Sequence, residues 1–124
     1  MNISKQIKII LLKPAEEYFN KLNIKIQDKF LISFDKTQMG FKGNWFTPIK
    51  PSDNIWEFRQ RDSDFFYRFL AFWEDHNHNQ TFIILTHGFN KKTNSTPRKE
   101  IRYAEKIKQE TQLNLKINEK RNKS

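Results

Sequence analysis

The chain has 124 residues, the length of one domain. It contains no cysteine, which excludes a disulfide framework and any cysteine-held metal and fits a reducing compartment. Its net charge of +9 points to a polyanionic partner, either nucleic acid or an acidic protein segment.

The charge is uneven along the chain. Residues 1–54 carry nine lysines against five acids, residues 55–90 three arginines against five acids, and residues 91–124 eleven basic residues against four acids. The basic excess flanks an almost neutral middle rich in aromatic residues. Charge of this kind also serves simply to keep a surface soluble, so the motifs have to decide.

Met1 to Leu12 lacks the form of a signal peptide. Its apolar run, broken by Lys8 and closed by Lys13-Pro14, is far too short to span a bilayer, so a cytoplasmic location without membrane contact is expected. Lys5 to Leu12 reads as a short strand. Ala15, Tyr18, Phe19 and Leu22 follow the spacing of one helix face. Asn23 can cap a second helix, in which Ile26, Phe30 and Phe34 repeat every fourth residue with Leu31 beside them, and Gly40 marks its end. The two form a helical hairpin packed on a sheet. Residues 41–54, with Gly43, Pro48 and Pro51, read as a loop that carries Lys42 and Lys50. Phe41, Trp45 and Phe46 either anchor that loop to the core or stack on a base.

Ile55 to Arg61 alternates as a strand, with Trp56 and Phe58 facing the core and Glu57, Arg59 and Arg61 on the other side. Asp62-Ser63-Asp64 is a turn. Phe65 to Trp73 is an aromatic strand interrupted by one charge, Arg68, which must be paired, for instance with Glu57, or must point at a ligand. Glu74 to Gln80 is a hairpin loop. Its His76-Asn77-His78 lacks a third ligand of suitable spacing, so no metal site and no cofactor are expected.

Phe82 to Leu85 is a buried strand, and Thr81 to His87 is expected to be its full extent. Gly88 predicts a turn, after which His87, Lys91 and Lys92 face open space at the strand's mouth. Thr96 and Pro97 predict a helix start, with Thr96 as the cap and Pro97 at the first helical position. Helical spacing continues to Thr111. Leu113, Leu115 and Ile117 alternate with polar residues, which allows a short added strand. Residues 1–112 are read as the domain and 113–124 as a basic, flexible tail.

The expected fold is α+β: a small, mostly antiparallel sheet with the N-terminal helical hairpin on one side, and a C-terminal helix. All helices are expected on the same side, leaving Arg59, Arg61, Lys91 and Lys92 on an open cationic face.

These residues resemble a family. Ile55-Trp56-Glu57-Phe58-Arg59, Tyr67-Arg68-Phe69, His87-Gly88-Phe89-Asn90-Lys91-Lys92-Thr93 and Thr96-Pro97-Arg98-Lys99-Glu100-Ile101 look like HigB-type toxins of the RelE/ParE superfamily, in its phage-derived host-addiction branch. One departure is Ser95, where that branch commonly carries lysine. The resemblance implies a RelE-like fold and a toxin of a toxin–antitoxin system. It also implies metal-independent cleavage of messenger RNA at the ribosome, and an antitoxin of the HigA type with a helix-turn-helix domain. DNA would be met only through the antitoxin complex.

The residues suit that chemistry. When the 2′-OH of RNA attacks the adjacent phosphate, a proton must leave, charge on phosphorus must be stabilised, and the 5′-oxygen must be protonated. Arg59 can bind phosphate oxygens bidentately. Lys91 or Lys92, among other cations, would have a lowered pKa and share proton transfer. His87 is either a general acid or a structural residue of the turn. Arg61, Arg68, Lys50 and Lys42 are candidate phosphate contacts. A ParE-like gyrase poison on the same fold and a non-catalytic binding module are the alternatives.

Overall fold

The computed structural model describes residues 6–77 and 79–122; Lys5, His78 and the last two residues of the expected tail lie outside them. β1 (Gln6–Leu11) leads into α1 (Lys13–Lys21), which carries Pro14 in its first turn. α2 (Ile24–Gln38) follows. The side chain of Asn23 accepts from the Ile26 N–H at 3.0 Å, so Asn23 caps the helix as its sequence position predicts. At the other end Gly40, with φ of 91°, takes the left-handed conformation that turns the chain out of the helix.

β2 (Phe46–Pro48), β3 (Trp56–Arg61), β4 (Phe66–Asn77) and β5 (Gln80–Lys91) complete a five-stranded sheet ordered β1-β5-β4-β3-β2. β1 runs parallel to β5, and the other pairings are antiparallel. The segment read as loop contains β2, a three-residue edge strand ending at Pro48. Proline lacks an N–H, but at Pro48 that group would point away from β3, and one further bond, from the Ile49 N–H to the Ile55 carbonyl at 2.8 Å, follows it.

The helices do not share one side. α1 and α2 pack Ala15, Leu22, Ile26, Phe30 and Phe34 against Phe58, Phe69, Ile83 and Leu85. α3 (Arg98–Asn122) packs Ile101 and Ala104 on the opposite face, against Ile55, Leu70, Phe72 and Ile84. The expected open face is therefore half covered. α3 runs to Asn122, so the alternation at Leu113, Leu115 and Ile117 is helical and not a strand. None of the helices among the described residues is long and apolar enough to cross a membrane.

Phe58 and Phe69 are fully buried. Trp56 is half-buried against Phe46 and Trp73. Phe82 lies on the α3 side, stacked on His76.

Two features of β5 correct the sequence reading. The strand does not stop at His87 but runs through Gly88 to Lys91. Gly88 makes no turn; its missing side chain leaves room for the Tyr18 ring, because a Cβ there would lie 2.0 Å from Tyr18 Cδ2. The Tyr18 hydroxyl then donates to the Asn90 side chain. The β4–β5 register also shifts between Leu70 and Ala71, which pair with His87 and Leu85, leaving Thr86 as the extra residue of a bulge. An inserted residue reverses which face later side chains take. Ile83 and Leu85 belong to the helical-hairpin core, whereas His87, Phe89 and Lys91 stand on the α3 side with Ile84.

Candidate functional site

The bulge aligns three rows across β3, β4 and β5. Glu57, Leu70 and His87 form one row, Arg59, Arg68 and Phe89 the next, and Arg61, Phe66 and Lys91 the last. Directly opposed residues share a face, so two rows carry Arg59, Arg61, Arg68 and Lys91 together.

Arg68 is 1 % exposed. Its guanidinium donates to Asn94 Oδ1 at 2.6 Å, to the Asn94 carbonyl at 3.4 Å and to its neighbour's carbonyl at Tyr67 at 3.1 Å. Its Nε lies 3.7 Å from Glu57 Oε2, so Arg68 is paired, as its apolar surroundings require. Burial holds its pKa below the usual arginine range, with Glu57 opposing and Arg59 adding to the effect. Arg59 is more open, its side chain 35 % exposed, with Nε 3.9 Å from Glu57 Oε1 and Nη2 donating to Asn94 Oδ1 at 3.3 Å. Glu57 also accepts from the Thr96 hydroxyl at 2.6 Å. α3 begins at Arg98, one residue later than a Thr96 cap requires, and its first turn closes on the Pro97 carbonyl, which accepts from the Glu100 and Ile101 N–H groups.

Glu57 and Asn94 are thus the hubs that tie residues 94–96 down over the sheet. The sequence did not single them out for this: Asn94 sits in an unremarkable polar run, and Glu57 was legible only as a partner for arginine.

Among the described residues, the Lys91 Nζ is solvent-inaccessible and has no hydrogen-bond partner. Burial, and then the neighbouring Arg68 and Arg59, push its pKa down to about 8, against a smaller opposing pull from Glu57. Repulsion from like charges contributes in the expected direction, but burial is the larger cause. Beside it, Arg59, Arg61, Arg68, Phe66 and Asn94 line a depression of about 130 Å³. Phe66 is covered by guanidinium groups, Arg61 at 5.7 Å and Arg68 at 5.4 Å from its ring. Lys92 is exposed beyond the strand end.

The remaining candidates lie elsewhere. His87 is buried under α3, edge-on to Tyr103. Its Nδ1 is 2.8 Å from Thr86 Oγ1 and its Nε2 3.3 Å from Glu100 Oε1. Burial lowers its pKa despite the Glu100 carboxylate, so the ring is neutral at pH 7. A neutral ring that donates from Nε2 to Glu100 and accepts at Nδ1 satisfies both contacts. Lys42 lines an apolar pocket of about 220 Å³ with Phe46, Trp56 and Trp73, on the helical-hairpin side. Lys50 is exposed in the loop that α3 clasps through Arg98, which donates to the Pro51 carbonyl at 2.6 Å. Phe41 is exposed, whereas Phe46 is buried in the core. Among the described residues, no three His, Asp or Glu side chains converge as metal ligands.

Fold and site together define a small α+β protein that displays a cluster of arginines and one sequestered lysine on a rigid sheet face. Residues 17–109 match the Gp49-like phage-derived proteins (DUF891), and the chain belongs to that family, which is associated with toxin–antitoxin systems. No curated protein matches the sequence.

Proposed function

We propose that this protein is the toxin of a toxin–antitoxin pair and that it cleaves messenger RNA at the ribosome, as the HigB-type toxins of the RelE/ParE superfamily that it resembles do. The observation that carries this reading is Lys91, an amine with no hydrogen-bond partner among the described residues, its pKa pushed down to about 8 by burial and then by Arg68 and Arg59. A lysine titrating near neutrality can exchange protons, which an ordinary surface lysine does not do.

In this mechanism a phosphate rests in the depression against Arg59, whose forked guanidinium holds two non-bridging oxygens. Arg61 adds a second cation. Lys91 swings its flexible stem towards the phosphate, and its neutral form takes the 2′-OH proton. The 2′-oxygen attacks phosphorus, a cyclic phosphate forms, and the 5′-oxygen leaves with a proton from Lys92. Arg68 is buried and engaged with Glu57 and Asn94, so its role is to position Arg59 and residues 94–96. His87 has no part in proton transfer because both ring nitrogens are engaged within the fold.

The test is to add the protein to a translating extract and map transcript ends. Internal cuts bearing a cyclic phosphate are expected. Intact transcripts, together with loss of gyrase supercoiling in a parallel assay, would replace this reading with a ParE-like one. The partner proposed from family membership is an antitoxin whose acidic segment meets the +9 charge. Its association rate is expected to fall as salt rises.

A further inference from the structure

Gln60 stands where two surface depressions meet. One is the Arg59–Arg61 depression. The other, of about 210 Å³, lies on the helical-hairpin side of the sheet and is lined by Lys29, Ser33, Lys36, Trp45 and Gln60. They meet because β2 is so short. Its pairing reaches only Phe58, with one further bond from the Arg59 N–H to the Trp45 carbonyl, so Gln60 and Arg61 form an open strand edge. Lys29 already reaches that edge, its Nζ donating to the Arg61 carbonyl at 3.2 Å.

We propose that a single RNA strand crosses this open edge at Gln60, passing from the Arg59–Arg61 depression into the groove of Lys29, Lys36 and Trp45. The proposal rests on the nuclease reading above and extends it to the flanking nucleotides. Strand binding needs cations that track phosphates and aromatic faces that accept bases. The groove has both. Lys36 Nζ lies 5.0 Å above the Trp45 ring, and the indole is fixed by its N–H donating to Thr37 Oγ1 at 3.0 Å. A base taking that ring face would release Lys36 to a phosphate. Gln60, held by Ser33 Oγ at 2.8 Å, keeps the crossing point rigid. The neighbouring acid, Asp62, stays ionised, its pKa held down chiefly by the Phe65 N–H and the Tyr67 hydroxyl with a smaller pull from Lys29, so it offsets part of the Lys29 charge and leaves Lys36 as the stronger cation of the groove. Its carboxylate accepts from the Asp64 and Phe65 N–H groups and from the Tyr67 hydroxyl. The indole favours RNA over an acidic peptide, which has use for the cations alone.

The experiment is fluorescence anisotropy with labelled, 2′-O-methylated RNA that resists cleavage, comparing a trinucleotide with a strand of about nine nucleotides. The wild-type protein should bind the longer strand about tenfold tighter, with a steeper salt dependence. Lys29→Ala/Lys36→Ala should lose most of that gain, and its salt slope on the long strand should fall by about 1.4, roughly 0.7 for each phosphate contact. Lys99→Ala/Lys106→Ala removes the same charge from the exposed face of α3 and should keep the gain. The track is overturned if the first variant keeps the gain, or if the second loses it equally. A decaglutamate peptide showing the same dependence on Lys29 and Lys36 would also overturn it, assigning the groove to an acidic protein segment. If the wild-type protein binds neither RNA, the track falls, and the nuclease reading is decided separately by the transcript ends mapped in the translating extract. If it cuts transcripts yet gains nothing from length, only the track falls.

Discussion

Arg59 and Arg68 stand directly opposite each other across β3 and β4, and Glu57 lies within 3.9 Å of one and 3.7 Å of the other. Two like charges opposed on a sheet repel each other. Here a shared carboxylate and the shared acceptor Asn94 Oδ1 hold them together. The outcome is unequal: Arg68 is sealed in and structural, while Arg59 keeps a face open to a phosphate.

Removing the open partner tests the site directly. Arg59→Ala is expected to slow transcript cleavage by roughly 10²- to 10³-fold, the scale for losing one preorganised charge donor. Arg59→Lys should not restore the rate, because an ammonium lacks the forked geometry. Both variants should melt close to the wild-type temperature, since Arg59 lies outside the apolar core.

Lys91 links activity to stability. Its folded pKa of about 8 lies below the ordinary 10.5. Between those values the unfolded chain holds a proton that the folded chain has lost, so stability rises with pH across the window, and the cost of burying the ammonium is complete below it. Lys91→Met is expected to abolish cleavage and yet stabilise the fold at pH 7 by about 1–3 kcal/mol, the scale of an unpaired buried polar group. That advantage should shrink from pH 8 to 10.5 in denaturation curves. The wild-type cleavage rate should climb towards pH 8 and then level off.

Glu57 is the counter-charge for the buried guanidinium. Glu57→Ala is expected to destabilise by roughly 3–5 kcal/mol, because Arg68 is left buried with its charge uncompensated. Glu57→Gln, which can still accept from Thr96, should cost less. Urea denaturation of the two variants gives the comparison.

Gly88 and Tyr18 should be coupled. Gly88→Ala drives a methyl into the Tyr18 ring and is expected to cost roughly 1–3 kcal/mol. Tyr18→Ala carries its own cost, but adding Gly88→Ala to it should cost much less than in the wild type. Additive losses in the double-mutant cycle would show that the ring does not fill the space over Gly88.

Much of the fold can be read from local pattern. The first strand, the helical hairpin with its Asn23 cap, and the two faces of β3 follow from periodicity and capping chemistry, which depend on neighbours a few residues away. So does the choice of Arg59, Arg61, Arg68 and Lys91 as notable cations, each lying in or at the end of an apolar or aromatic strand. Their grouping does not follow from local pattern. Lys91 shares a face with Arg59 only because Thr86 is bulged out of β5, and a bulge is chosen by the fit of two strands distant in sequence. Gly88 looks like a turn because glycine permits one; Tyr18, seventy residues earlier, makes it a contact point instead. Thr96 looks like a cap, but the helix starts one residue later, closing its first turn on Pro97, while the Thr96 hydroxyl reaches across the sheet to donate to the buried Glu57 carboxylate. The position of α3 is likewise a long-range matter. Ile55, Leu70, Phe72 and Ile84 leave the second face of the sheet apolar, and burying it against Ile101 and Ala104 outweighs any tendency of the helices to gather on one side.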